Sequence, residues 1–97
     1  MTDTQALQDV AAERRRQIES EGWSADHDDD HAAGELAIAA ACYALSSTGS
    51  IISPNTALGA LWPWAWHWWK PKDRRRDLVR AAALIIAEIE RLDRAKP

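Results

Sequence analysis

Apolar residues recur at helical spacing in three long segments of this chain, and nowhere do they alternate for long enough to make a strand. Leu7, Val10, Ala11 and Ile18 share one side of the first segment, with Glu13, Arg16 and Ser20 opposite. Asp3 or Thr4 can cap its start and Gly22 its end, which predicts a helix over about 4–21. The second segment predicts a helix over about 30–47. Leu36, Ala39, Ala40 and Tyr43 form one face while Ile38, Cys42 and Leu45 cover another. A helix apolar nearly all round is central, and its many alanines permit close approach by a neighbour. The third helix is expected over about 72–94, where Leu78, Ala82, Ile85, Ile89 and Leu92 step by four, three, four and three, widened by Val79 and Ile86. A stripe this broad suits packing against a second copy, so a homo-oligomer is expected.

The connection over 48–71 is broken by Gly and Pro. Ser53-Pro54 is a favourable start for one helical turn, and Pro63 and Pro71 limit helix elsewhere in it. The fold class read from this pattern is all-α: a compact single domain of three main helices, a short helix and a Trp-rich loop.

With 97 residues, the chain is near the lower limit for a domain held by its core alone. The one cysteine, Cys42 in AIAAACYAL, excludes an internal disulfide and reads as a buried thiol. MTDTQALQDV lacks the basic-then-apolar order of a signal peptide. No apolar run approaches the about 20 residues of a membrane span. A cytoplasmic protein without membrane contact is expected.

Charge is segregated along the chain. No Lys or Arg lies between Gln17 and Trp69, and seven acids fall from Glu19 to Glu35. Six bases crowd Lys70–Arg80 against Asp73 and Asp77. The two lobes would attract if folding brought them together. The net charge of −3 argues against general nucleic-acid binding, which needs a basic footprint.

Three constellations carry candidate chemistry. His27, His31 and Glu35 are spaced i, i+4, i+8, so one continuous helix would align them. With Asp28, His31 and Glu35 have metal-ligand character, although acids at a helix start also act as caps and dipole partners. In KPKDRRR, Lys70, Lys72, Arg74 and Arg75 surround a helix N-terminus, where free amides favour anions. Those arginines could equally pair within the chain. The third constellation is LWPWAWHWW, holding five of six tryptophans in a chain without Phe. Some must be core. Trp66, Trp68 and Trp69, next to Lys70, are candidates to stack on a base, with Trp23, His27 and His31 closing the pocket.

ERRRQIESEGW, HDDDHAAGELAIAAACYAL and WWKPKDRRRDLVRAAALIIAEIERLDR together resemble a family of small helical proteins from phage and prophage genomes. The layout more distantly resembles the MazG-like all-α nucleotide pyrophosphatases, helical oligomers that hold Mg²⁺ around a nucleoside triphosphate with a Glu-rich helix and an ExxD motif. That resemblance implies roles for Glu13 and Asp77, but the motif's glutamate position holds Arg74. Glu90 and Asp93 form an ExxD only at the chain's end. A site with that shape and incomplete ligands implies binding without hydrolysis, as in phage sponges that sequester nucleotide immune signals of the cyclic ADP-ribose or cyclic dinucleotide type. Three readings stay open. One is a nucleotide-binding module that needs no cofactor. The second is a Mg²⁺-dependent pyrophosphohydrolase using Glu13, Asp28, His31, Glu35 and Asp77. The third is a phage protein–protein interaction factor.

Overall fold

Short polar side chains mark where the helices begin. The computed structural model describes residues 3–95. Thr4 Oγ1 accepts from the Leu7 amide (3.3 Å) at the start of α1, Gln5–Glu19. Ser24 accepts from the His27 amide (3.3 Å) at the start of α2, Ala25–Asp29. Asp73 accepts from the Arg76 amide (2.8 Å) at the start of α4, Arg74–Arg94. Each cap relieves one of the amides that a first helical turn leaves without a partner.

Helix α3, Glu35–Ser47, begins differently: Gly34 sits at φ 89°, a left-handed geometry that suits glycine. The single helix expected over 30–47 is therefore shorter, and α2 stands apart within the acidic loop. Glu35 closes the intervening turn by accepting from the Ala33 amide (2.7 Å). Two 3-10 turns, Leu58–Leu61 and Trp66–Trp68, punctuate the Trp-rich connection. The described residues contain no strand.

The main interface is between α3 and α4. Leu36, Ala39, Ala40 and Tyr43 meet Ala81, Leu84 and Ala87 in the core. Mostly small side chains line this contact, which lets the two axes approach closely. The larger aliphatic stripe of α4 consequently turns outward. Leu78, Ile85, Ile89 and Leu92 are each about half exposed, and Ile86 is more than a third exposed. Helix α3 also leaves Ile38 partly exposed, so it is not apolar-buried all round.

The first helix presents its polar side inward, the reverse of the expected orientation. Glu13, Arg14 and Gln17 are buried, whereas Leu7 and Ile18 are exposed. The reason is charge pairing across helices, since buried charges persist only when partnered. Arg14 reaches Asp28 of α2 (2.7 Å) and Glu90 of α4 (2.9 Å). Glu13 is held by Arg16 (2.7 Å) and by Arg76 of α4. Hydrophobic periodicity is blind to such partners.

The connection is pinned at both ends. Gly59 packs so closely on Ser53 that an added Cβ would fall 1.7 Å from its carbonyl oxygen. Tyr43 Oη donates to the Trp68 carbonyl (3.4 Å) and accepts from the Lys70 amide (3.1 Å), while Arg80 donates to the Lys70 carbonyl. One α3 phenol and one α4 guanidinium thus clamp the end of the Trp run.

Asp28→Asn is expected to destabilise the protein by about 2–4 kcal/mol, because it leaves the buried Arg14 with only the half-exposed Glu90 as a charge partner. Asp29→Asn, in the more exposed pair with Arg94, should cost under about 1 kcal/mol. Urea unfolding of the two variants side by side checks the contrast, and equal losses would refute the assignment. Gly59→Ala should unfold at lower urea than the wild type, for want of room at Ser53.

Candidate functional site

Local helical geometry builds one wall of the most distinctive cavity. Trp23 lies just before the Ser24 cap, so one turn of α2 carries His27 onto its face. The two rings stack parallel, with centroids 5.8 Å apart. The backbone then turns, and the His31 amide donates to the Asp28 carbonyl (3.0 Å). This sets His31 edge-on to His27 at 4.9 Å. The i, i+4 spacing survives the end of α2, although no continuous helix joins His27 to Glu35.

The opposite wall comes from the connection. Trp64 is tilted against Trp23 (5.9 Å) and His31 (5.2 Å). Trp23, His27, His31, Trp64, Ala65 and Trp68 enclose a cavity of about 220 Å³. Trp68 is 39% exposed, and the Lys70 ammonium lies over its ring at 5.6 Å from the centroid. His31 Nδ1 contacts Glu35 (3.3 Å), and His27 Nδ1 lies 3.5 Å from Asp28. With Nδ1 directed to a carboxylate in each ring, Nε2 is the nitrogen left to meet a ligand. The site therefore offers stacking faces, two imidazoles and a neighbouring cation.

Trp23 and Trp68 also border a smaller chamber of about 30 Å³, together with Gln17, Lys70 and Arg80. Gln17 Oε1 and Arg80 Nε, both on its lining residues, have no hydrogen-bond partner within the protein. The space suffices for roughly one water.

The remaining candidates go elsewhere. Trp69 packs on Tyr43 (4.6 Å) and Trp62 (4.8 Å), and Trp66 lies against Trp62 (6.3 Å), so both serve the core more than a stacking surface. Lys72 is exposed, and its amide donates to buried Asp77 (2.8 Å). Arg74 is exposed, and Arg75 pairs with Asp9 (2.8 Å). The basic lobe thus pairs with acids of α1, while the acidic loop pairs with Arg14, Arg16 and Arg94. Trp64 is the cavity tryptophan absent from the stacking candidates that the sequence offers. Its one local signal is a place between Pro63 and the turn at Trp66, and its ring stands edge-on to Trp62 at 5.5 Å.

The acids do not assemble a metal centre. Asp28 is fully buried against Arg14, Glu35 is engaged by His31 and the Ala33 amide, and Glu13 is enclosed by two arginines. Among the described residues, no three His, Cys, Asp or Glu side chains converge to hold an ion. The set expected for Mg²⁺, namely Asp28, His31 and Glu35 with Glu13 and Asp77, does not fit one. Glu90, the first acid of the terminal ExxD, is paired with Arg14.

Burial alone would raise the Glu13 carboxyl's pKa, but hydrogen bonding and charge from Arg16, with charge from Arg76, hold it below the usual value. Asp9 is lowered too, by hydrogen bonds from Gln5 and Arg75. Among the described residues, no helix is long and apolar enough to cross a membrane. No protein-family model, curated protein or solved structure matches this chain.

A carboxyl whose pKa is lower in the folded state stabilises fully above its unfolded value, about 4.3 for Glu. That contribution is lost as pH falls through the lower folded value. Stability should therefore decline below about pH 4. Glu13→Gln should be less stable at neutral pH and lose less on acidification, since only the remaining carboxylates titrate. Urea midpoints across the acid range check this, and an unchanged pH profile in the variant would contradict it.

Proposed function

We propose that this protein is a nucleotide-ligand binding module that captures its ligand without turning it over. The observation that carries the reading is the cavity between Trp23, His27, His31, Trp64 and Trp68, with Lys70 over Trp68. Its volume is below the about 300–1,000 Å³ of drug-sized sites, so it suits one planar ring. A nucleobase would lie against the indoles, where stacking is insensitive to base identity. Lys70 would meet a phosphate just outside. Capture rather than hydrolysis is favoured because Glu13, Asp28 and Glu35 are already engaged by cations, imidazole or backbone amides. In the setting that the phage resemblance implies, the ligand is a nucleotide immune signal of the cyclic ADP-ribose or cyclic dinucleotide type.

Titration with a panel of linear and cyclic nucleotides, followed by tryptophan fluorescence, tests this. Saturable quenching is expected, and the ligand should return chemically unchanged after heat denaturation. Trp68→Ala should weaken binding about 5- to 150-fold, corresponding to about 1–3 kcal/mol for one stacked base. Absence of quenching by the whole panel would overturn the proposal. Release of pyrophosphate in the presence of Mg²⁺ would replace it with the hydrolase reading.

A further inference from the structure

The outward stripe of α4 is an apolar row that the fold leaves uncovered. Leu78, Ile85, Ile89 and Leu92 are each about half exposed on a single 21-residue helix. Such residues are normal when scattered, but a contiguous row marks an interaction surface. The spacing is that of a coiled-coil seam, with Leu78, Ile85 and Leu92 in one heptad position and Arg75, Ala82 and Ile89 in the other.

We propose that this face binds a second copy of the chain, with the two α4 helices antiparallel about a twofold axis. Two observations select a second copy in that orientation. The first is shape. Antiparallel pairing sets Leu78 against the partner copy's Ile89 position and Ala82, the small residue of the row, against its Ile85 position, so the small residue meets a large one. Parallel pairing would instead stack alanine on alanine at 82 and leave a gap. The second is charge. Arg74 and Arg75 lie at the positive end of their own helix dipole, where cations are disfavoured. In a parallel pair, the two arginine-rich ends would adjoin. In an antiparallel pair, each meets the negative end of the other helix's dipole, where Arg91 and Arg94 are already neutralised by Glu88 and Asp29. Arg74 is exposed and enters no ion pair among the described residues, which leaves it available for that contact.

The helix is about 31 Å long at 1.5 Å rise per residue. One face of it is smaller than the about 800 Å² that each partner gives to a standard interface. The dimer should therefore be concentration-dependent. The proposal is independent of the nucleotide reading, because no residue of the stripe lines the aromatic cavity.

Sedimentation velocity over a wide concentration range tests it, beside the variant Ile85→Glu/Ile89→Glu. The wild type should pass from monomer to dimer. The variant should shift that midpoint at least about tenfold upward while keeping its helical circular dichroism, since both positions are exposed in the monomer. Orientation is read by cross-linking on a Cys42→Ala background: a Leu78→Cys chain mixed with an Ile89→Cys chain should form the mixed disulfide faster than either forms its own. A wild type that stays monomeric, an assembly that survives the double variant, or preferential self-cross-linking of Leu78→Cys would each overturn the proposal.

Discussion

The arrangement of this protein depends on Arg14. Its guanidinium sits between Asp28 and Glu90, at 2.7 and 2.9 Å, and so ties α1 to both α2 and α4. Asp28 is fully buried, and an ion enclosed without a partner costs several kcal/mol. The polar face of α1 therefore has one stable place, against the charged flank of α4. That docking sends Leu7 and Ile18 to the surface and fixes α2, whose single turn stacks His27 on Trp23. One ion pair thus connects helix orientation to the geometry of the cavity.

A second constraint acts from the other side. Tyr43 and Arg80 grip the backbone at Trp68 and Lys70, placing Trp68 on the cavity rim instead of in the core. Burial pushes the Tyr43 phenol above its ordinary pKa, so it remains a neutral hydroxyl that both donates and accepts in that clamp. Trp62, Trp66 and Trp69 belong to the core cluster, Trp68 lies on the cavity rim, and Trp23 and Trp64 do both, packing against the core while lining the cavity.

Much of this was legible in the sequence because it is local. Helical character, the Thr4 cap, burial of Cys42 and the i, i+4 spacing of the two imidazoles all follow from neighbours a few residues apart. The inner face of α1 was not legible, because Glu13 and Arg14 choose their direction through Arg76, Asp28 and Glu90, far away in the chain. Periodicity reports that a helix has an apolar side without saying which side meets a neighbour. On α4 the alanine-rich face won the contact with α3, since two small-residue surfaces approach more closely than aliphatic ones. The cavity was half legible: Trp23, His27, His31 and Trp68 were identifiable, whereas Trp64 entered through the turn after Pro63. The basic run looked like an anion site, yet Arg75 and Arg76 are engaged by acids of α1.

The central claim, that a buried Arg14–Asp28 pair organises the molecule, is tested most directly by a double-mutant cycle. Unfolding free energies would be measured for the wild type, Arg14→Met, Asp28→Leu and the double variant. Coupling of about 1–3 kcal/mol is predicted, with the double variant more stable than the sum of the single losses implies. Losses that add to within about 0.3–0.5 kcal/mol would contradict the account.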